Sequence, residues 1–556
     1  MEDWSARYAP GVPRHLDYPD ATILDLFDEA VAHRPDAPCT NFLGRSQTYA
    51  ATAAAVDRAA AALAALDVGV GDRVAVLLPT CPVSLHVTLG ALRLGAEVVH
   101  HNPLYSTAEL SGMFTDHGAR VAVVWDKALD AVAPLRDSTP VRHVVGVDIT
   151  RSLPMARRLA LRMPLRQARE ARERLTTSTW PAGTVAWHRL ARRGAHHPVS
   201  SRSHRPTAAD VAVIMYTSGT TGTPKGVPLT HANLVANCLQ GRAWTELAYG
   251  EGVFLATLPM FHALGLTTGV LTGITAAAEV HLIPAPEPGL MLEAVRRRTP
   301  TFVVGVPPVF EALLRVAEKQ GVSLQGIGCG ISGAMSLDPA FVEHWERATG
   351  GRLVEGYGLT ETSPIVVGNP VDASRRVGSI GIPFPDTDVR IVSVDEPDRE
   401  VEDGEVGELL VRGPQVFGGY LDKPKETEQA FLDGWFRTGD LVRVDDGSLV
   451  IAGRLKEIIV TGGFNVSPLE VEDVLRRHPA VEDVVVVGVP SPGRGEEVVA
   501  AVVADGPLPE AAELRAWAKQ FLAPYKVPRR FVVVDELPRN VMGKVLRHEV
   551  VPLVSE

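Results

Sequence analysis

The chain has 556 residues, 46% of them hydrophobic and 22% charged, more than one ordinary core holds, so roughly two to four domains are expected. Lys+Arg 55 against Asp+Glu 66 leaves a net charge of −11, which excludes the global basic footprint of a nucleic-acid binder. That sign gives no long-range help in gathering anionic substrates, so any anion must be held by local donors.

The start, MEDWSARYAPGVPRHLDYPD, is charged and carries prolines, without the pattern of a signal peptide. Four cysteines (Cys39, Cys81, Cys238, Cys329) stand far apart and form no C-x-x-C pair, the usage of reduced structural thiols in a cytosolic protein. Residues 20–145 alternate Ala-rich helical stretches with apolar strands. AAAVDRAAAALAALD reads as a helix; RVAVLLP (73–79), AEVVHHN (96–102) and ARVAVVW (119–125) read as buried strands. That alternation predicts a mostly parallel sheet covered by helices. Residues 151–174 then carry eight arginines against two glutamates, with Leu and Met interspersed. Two readings stay open: a basic amphipathic helix on an anionic membrane surface, or a solvated insertion that Pro154 and Pro164 interrupt.

From residue 206 the alternation resumes with DVAVIMYTSG, a strand feeding the loop YTSGTTGTPKG. Small residues let backbone N–H groups approach an anion, and hydroxyls with one lysine add donors, so this is a phosphate loop. It is not G-x-x-x-x-G-K-[ST], because that template wants Gly at 224 and a hydroxyl at 226, where the chain has Pro224 and Gly226. Residues 264–278 form an uncharged run of 15, short of the roughly 18–20 a bilayer demands. Gly265, Gly269 and Gly273 smooth one helix face there, either for close packing or as a slot for an apolar chain. Residues 375–453 lose helical periodicity and predict a small antiparallel unit with a hairpin turn at Asp446-Gly447. Ser467-Pro468-Leu469-Glu470 predicts a helix start with a capping box, opening an α+β tail.

Four more segments bear chemistry. EGYGLTE (355–361) suits a flat ring on Tyr357 between Gly356 and Gly358, with Glu361 near phosphates for Mg²⁺. WFRTGDL sets Asp440 after a turn glycine, where a carboxylate can take two ribose hydroxyls. GRLKE offers Arg454, and NVMGKVLR places Lys544 near the chain end. Alone, each of these is as readily a turn or a solvated charge.

In this order and spacing the motifs resemble the adenylate-forming (acyl-activating) superfamily over nearly the whole chain. HNPLYSTAEL (101–110) and PMFHALGL (259–266) resemble bacterial long-chain fatty-acid–CoA ligases, and no amino-acid anchor follows PMFHAL. The resemblance implies an α/β fold: a large N-terminal domain of layered sheets (1–453, with 375–453 as a β-barrel-like unit) and a mobile α+β C-terminal domain (454–556). It implies ATP, Mg²⁺ and coenzyme A, and activation of a fatty acid through an acyl-adenylate to a thioester. The alternatives are an acyl-AMP ligase loading a carrier protein, or a CoA ligase for an aryl or dicarboxylic acid.

By the same resemblance, Lys544 bridges carboxylate and α-phosphate, while Thr217 and Glu361 hold the metal. Thr217, Ser218, Gly219, Thr220, Thr221, Gly222 and Lys225 hold the β,γ-phosphates. Gly333 and Ala334, with Gly356, Tyr357, Gly358, Leu359 and Thr360, border the nucleotide, and Asp440 with Arg454 takes the ribose. His262 orients the acyl carbonyl or gates its tunnel, Gly462 and Gly463 leave room for the thiol arm, and Lys456 is the hinge. The expected location is cytoplasmic, with the inner membrane face open through 151–174; the oligomeric state is not legible.

Overall fold

The computed structural model describes residues 4–194, 205–217, 224–461, 464–491, 495–504, 506, 510–540 and 543–555. They divide into two compact units, one built from Glu2–Asp388 with Arg412–Leu432, the other from Val389–Val411 with Asp433–Glu556.

The larger unit contains two sheets. In one, the strands run Val185–Ala186, His143–Val147, Val121–Trp125, Arg73–Leu77, Glu97–His100, Val211–Thr217, Lys225–Thr230 across the sheet. The three apolar segments expected as buried strands are therefore direct parallel neighbours, with Val74 opposite both Val98 and Val121. Their Val-rich runs are buried on both faces, as parallel sheets flanked by helices require. The Ala-rich helix Tyr49–Ala64 packs on the apolar helix Pro82–Leu92. At Gly90 the two backbones come so close that a Cβ would lie 2.8 Å from the Ala59 Cβ and 2.9 Å from the Ala60 nitrogen. The second sheet places Val253–Ala256, Phe302–Gly305, Cys329–Ser332 and Arg352–Gly358 side by side in parallel.

The uncharged run forms a π-helical stretch, Leu264–Leu271, continued by a helical turn, Thr272–Thr275, and is almost wholly buried. Two of its glycines serve packing. A Cβ on Gly265 would sit 2.1 Å from the Pro259 carbonyl oxygen, and one on Gly273 would meet Val280 at 2.8 Å. Gly269 is looser, with nothing nearer than 3.6 Å. Among the described residues no helix is long and apolar enough to cross a membrane. The arginine-rich segment forms no continuous amphipathic helix. It breaks into Met155–Ala160 and Arg166–Leu175, neither of which buries a residue, and Met155, Leu159, Met163 and Leu165 are all more than half exposed.

In the smaller unit, Gly407–Arg412, Trp435–Asp445 and Ser448–Arg454 pair antiparallel. The expected turn stands between them, with positive φ at Asp446 (49°) and Gly447 (65°), the backbone that hairpin turns of this hand need. The tail adds a sheet whose centre is the long hairpin Val481–Ser491 with Gly495–Ala504, covered by the helices Pro468–Arg476, Ala511–Ala518 and Arg547–Val554. Ser467 does precede the first of these, but the capping box is absent. Its hydroxyl donates instead to the Ala452 carbonyl at 2.7 Å, and Glu470 pairs with Lys526 at 2.7 Å. A stronger partner for each side chain lies across the fold rather than along the helix. All four cysteines are free and buried, and burial pushes the Cys39 thiol up to about 12 and the Cys81 thiol up to about 11.

Candidate active site

The strand Val211–Thr217 ends at the phosphate loop, and Lys225 opens the antiparallel strand that returns from it, directly opposite Thr217 in the ladder. Ser218, Gly219, Thr220, Thr221 and Gly222 lie outside the described residues; their flanks are firmly built. The Tyr216 hydroxyl donates to Asp116 at 2.7 Å, and its ring stacks on His101 with centroids 5.4 Å apart. His101 is joined to His117 by an Nε2–Nε2 contact of 3.0 Å, and Asp116 also faces Lys423 at 3.5 Å. His101 opens the HNPLYSTAEL motif, so that signature is structural support for the loop's first strand. Burial drives the His101 imidazole down to about 3, which keeps it neutral in the stack.

Glu361 sits in a 3-10 turn, Thr360–Thr362, after the strand Arg352–Gly358. It is 7% exposed and accepts a 2.9 Å hydrogen bond from the Tyr420 hydroxyl. The same tyrosine ring lies under Lys225, whose Nζ is 4.8 Å from the ring centroid, a cation–π contact. One side chain thus touches both the lysine of the loop and the carboxylate expected to face Mg²⁺. Tyr420 went unread in the sequence; its only signal is an aromatic after Gly418-Gly419. Burial first, then the charge of Glu361, raises its phenol and keeps it a donor.

Gly333, Ala334 and the GYGLTE segment are brought together by the sheet. The strands Cys329–Ser332 and Arg352–Gly358 are parallel neighbours, with Ser332 opposite Glu355, so both segments leave adjacent carboxyl ends. That is where open α/β sheets bind ligands. Ala334 is exposed and holds a positive φ of 66°, a conformation unusual for a residue with a Cβ. Gly358 is obligatory, because a Cβ there would fall 1.7 Å from the Pro364 carbonyl oxygen. Gly356 and Tyr357 are half-buried, and Leu359 and Thr360 lead into the turn that carries Glu361.

His262 lies two residues before Leu264, whose Cδ2 would meet a Cβ on Gly333 at 2.7 Å. The His262 Nε2 is shielded and without a hydrogen-bond partner among the described residues, and burial lowers the imidazole to about 4. Nearby in sequence, Thr268 and Thr272 line a cavity with Trp244, Phe254, Phe302 and Phe384. Its volume, about 20 Å³, is the room of one water.

The smaller unit holds the other expected residues. Asp440 and Arg454 are cross-strand partners, and the Arg454 Nε lies 2.8 Å from the Asp440 carboxylate. Asp440 is buried at 3% exposure. Lys544 is half-buried in the same unit, its backbone bonded both ways to Asn540. Burial chiefly, then Arg454, lowers its ammonium, against Glu457 and Asp440, which raise it. Lys456 is exposed in a short turn, Leu455–Glu457. Gly462 and Gly463 lie outside the described residues.

Among the described residues no group of three or more His, Cys, Asp or Glu could cage a metal. Mg²⁺ needs no such cage, since it binds through one or two carboxylates with substrate phosphates and water. Glu361 is the carboxylate whose chemistry fits that use, and the Tyr420 hydroxyl is one of the groups that orient it.

In the larger unit the strand-end segments and the phosphate-loop flanks lie where open α/β sheets bind ligands. A family model described as AMP-binding enzyme matches residues 27–421, and one described as AMP-binding enzyme C-terminal domain matches residues 470–544. The long-chain-fatty-acid–CoA ligase of Bacillus subtilis (strain 168) is 34% identical over 559 residues, 100% of this chain and 99% of its own length. That of Escherichia coli O157:H7 is 35% identical over 562 residues, 98% and 97% of the two chains. The crystal structure of ATP-bound MatB from Rhodopseudomonas palustris matches with a TM-score of 0.80 at 28% identity, covering 96% of this chain and 99% of that one. The chain belongs to the AMP-binding enzyme family. Its fold, large N-terminal α/β sheets with a smaller C-terminal domain, is the one that family's solved structures have.

Proposed function

We propose that the protein is an ATP-dependent fatty-acid–CoA ligase. A fatty carboxylate attacks the α-phosphorus of ATP and expels pyrophosphate; the thiol of coenzyme A then attacks the acyl carbon of the mixed anhydride and expels AMP. The first half joins two anions, so positioning and charge neutralisation do most of the catalysis. No general base is needed, because a carboxylate is already ionised at pH 7.

In this scheme Lys225, with Thr217 and the loop between them, holds the β,γ-phosphates. Glu361 and Thr217 would hold Mg²⁺, which supplies positive charge to the phosphate oxygens when bound. Tyr357, with Gly333 and Ala334, borders the adenine; Asp440 takes the ribose hydroxyls, with Arg454 beside it. Lys544 neutralises the carboxylate and the α-phosphate as they meet. In the second half residues 454–556 move as a domain about Lys456, withdrawing Lys544 and bringing Gly462 and Gly463 to the thiol channel. His262, held neutral, orients the acyl carbonyl. The observation that best supports this scheme is the line Lys225–Tyr420–Glu361, which ties phosphate donor to metal carboxylate through one side chain.

One observation favours a second reading. The cavity beside Thr268 and Thr272 is water-sized and walled by four aromatic rings, so a compact aryl acid needs less rearrangement than a long chain. Pyrophosphate release with ATP, Mg²⁺ and acids of graded length, set against aryl acids, decides between them. Preference for the aryl series would overturn the fatty-acid assignment. The acceptor is tested by Gly463→Leu, expected to spare pyrophosphate release and block the thioester; normal thioester output would remove the channel from that position. Any location at a membrane rests on 151–174, whose exposed Met155, Leu159, Met163 and Leu165 stand among arginines. Loss of vesicle binding when these four become Ser would support it.

A further inference from the structure

We infer that a second cavity in the larger unit, remote in sequence from every nucleotide-site residue, binds a small anion that joins a phosphate or carboxylate group to a compact apolar part. The cavity measures about 290 Å³, the lower end of the range of small-molecule sites. Arg45, Arg58, His86, Gln47, Trp187 and His188 line it.

Three observations converge on an anion. First, the two guanidinium groups have no carboxylate partner among the described residues. Arg58 forms no hydrogen bond or ion pair there, and the bond that Arg45 makes is from its Nη1 to the Arg151 carbonyl at 3.0 Å, which leaves its charge in place. Second, two lining residues carry shielded polar atoms that are unsatisfied among the described residues. His86 is 8% exposed, in the first turns of the helix Pro82–Leu92, and its Nε2 has no hydrogen-bond partner; the Gln47 Oε1 has none either. Such groups are rare in folded proteins because each forfeits its hydration without return. Third, the surrounding charge is mostly positive. The charges acting on His86 are Arg58 and Arg45, and those acting on His188 include Arg151, Arg189 and Arg192. The one carboxylate there, Asp148, is already paired with Arg151 at 3.4 Å.

The rest of the chemistry follows from the walls. Burial, more than the two arginines, drives His86 down to about 3, so the imidazole in the lining is neutral and adds no charge. Two guanidinium forks match the oxygens of a phosphate or carboxylate. Trp187, with Pro82 and Ala55, gives a flat apolar wall for the remainder of the ligand. A cation is repelled, and a purely apolar ligand would bury the arginines unpaired.

The experiment is calorimetric titration of the full-length protein, saturated with Mg²⁺ and α,β-methylene-ATP so that the nucleotide site is closed to the probe. Phenyl phosphate and benzoate are titrated, with benzylamine as the cationic control. Saturable binding of either anion at one site per chain is expected, with none of benzylamine. In the double variant R45Q/R58Q, two exposed positions, affinity for the anion should fall on the order of tenfold to a hundredfold, as for loss of charged hydrogen bonds, with melting temperature and nucleotide affinity unchanged. Failure of both anions to saturate the wild type at millimolar concentration, or equal affinity in the variant, overturns the site. Competition by phosphatidylcholine vesicles containing phosphatidic acid would assign the natural anion to a lipid headgroup; no competition would assign it to a soluble compound.

Discussion

The two units hold the carboxylates of the proposed scheme differently. In the larger, Glu361 accepts a hydrogen bond from a neutral phenol, and the nearby cation, Lys225, rests on the ring of that phenol rather than on the carboxylate. In the smaller, Asp440 lies against the guanidinium of Arg454 across a strand ladder. A phenol hydroxyl orients a carboxylate without cancelling its charge, which suits a group meant to meet a cation. A guanidinium cancels the charge and fixes the geometry, which suits a group meant to meet hydroxyls. The contrast can be tested by removing each element in turn.

The largest effect should come from Lys544→Ala. Formation of acyl-AMP should fall by at least about a hundredfold, the scale of losing one preorganised charge stabiliser, while thioester formation from supplied acyl-AMP continues. Equal loss of both halves would mean that Lys544 supports the fold rather than one step. Next is Asp440→Ala, which strips the proposed ribose partner and leaves Arg454 without its cross-strand carboxylate. ATP should bind roughly tenfold more weakly or worse, as for a charged hydrogen bond, with little change in kcat at saturation. A fall in kcat alone would break the assignment. Tyr420→Phe is subtler, since the ring under Lys225 survives and only the hydroxyl is lost. The expected fall in kcat/KM is about tenfold, the lower end for a hydrogen bond to a charged group, accompanied by a higher Mg²⁺ requirement. An unchanged Mg²⁺ curve would show that the hydroxyl does not orient Glu361.

Much of this was legible from one chain of letters, for identifiable reasons. Runs such as RVAVLLP have no other stable use than a strand buried on both faces, and Asp446-Gly447 can sit at positive φ where few pairs can. Motif order carried Asp440 and Arg454, yet nothing in the sequence said that they face each other across a ladder. Tyr420 escaped because its role is made by distant partners: Glu361 lies 59 positions away and Lys225 far further. Ser467 misled because local capping rules assume that a hydroxyl has no better acceptor, and the Ala452 carbonyl is one. The glycines at 265 and 273 looked alike for packing and for a slot; only the 2.1 Å and 2.8 Å approaches separate the two.

The smallest effect expected is on pH dependence, and it separates the two units once more. In the proposed scheme Lys544 acts as an ammonium, and its burial lowers the pH at which that charge is lost below the ordinary lysine value. Acyl-AMP formation should therefore decline on the alkaline side earlier than an exposed lysine would dictate, and Lys544→Arg, if active, should carry that limb upward, because a guanidinium keeps its proton. The linked effect on stability has the opposite sense. The folded chain binds fewer protons than the unfolded one between the lowered and the ordinary lysine value, so this group's contribution to stability rises with pH across that window. No limb near the ordinary histidine value of about 6.5 should come from His262, whose imidazole burial lowers to about 4 and so keeps neutral at pH 7. An alkaline limb in acyl-AMP formation that stays put in Lys544→Arg would remove the ammonium from the first half-reaction, whatever Lys544→Ala had shown.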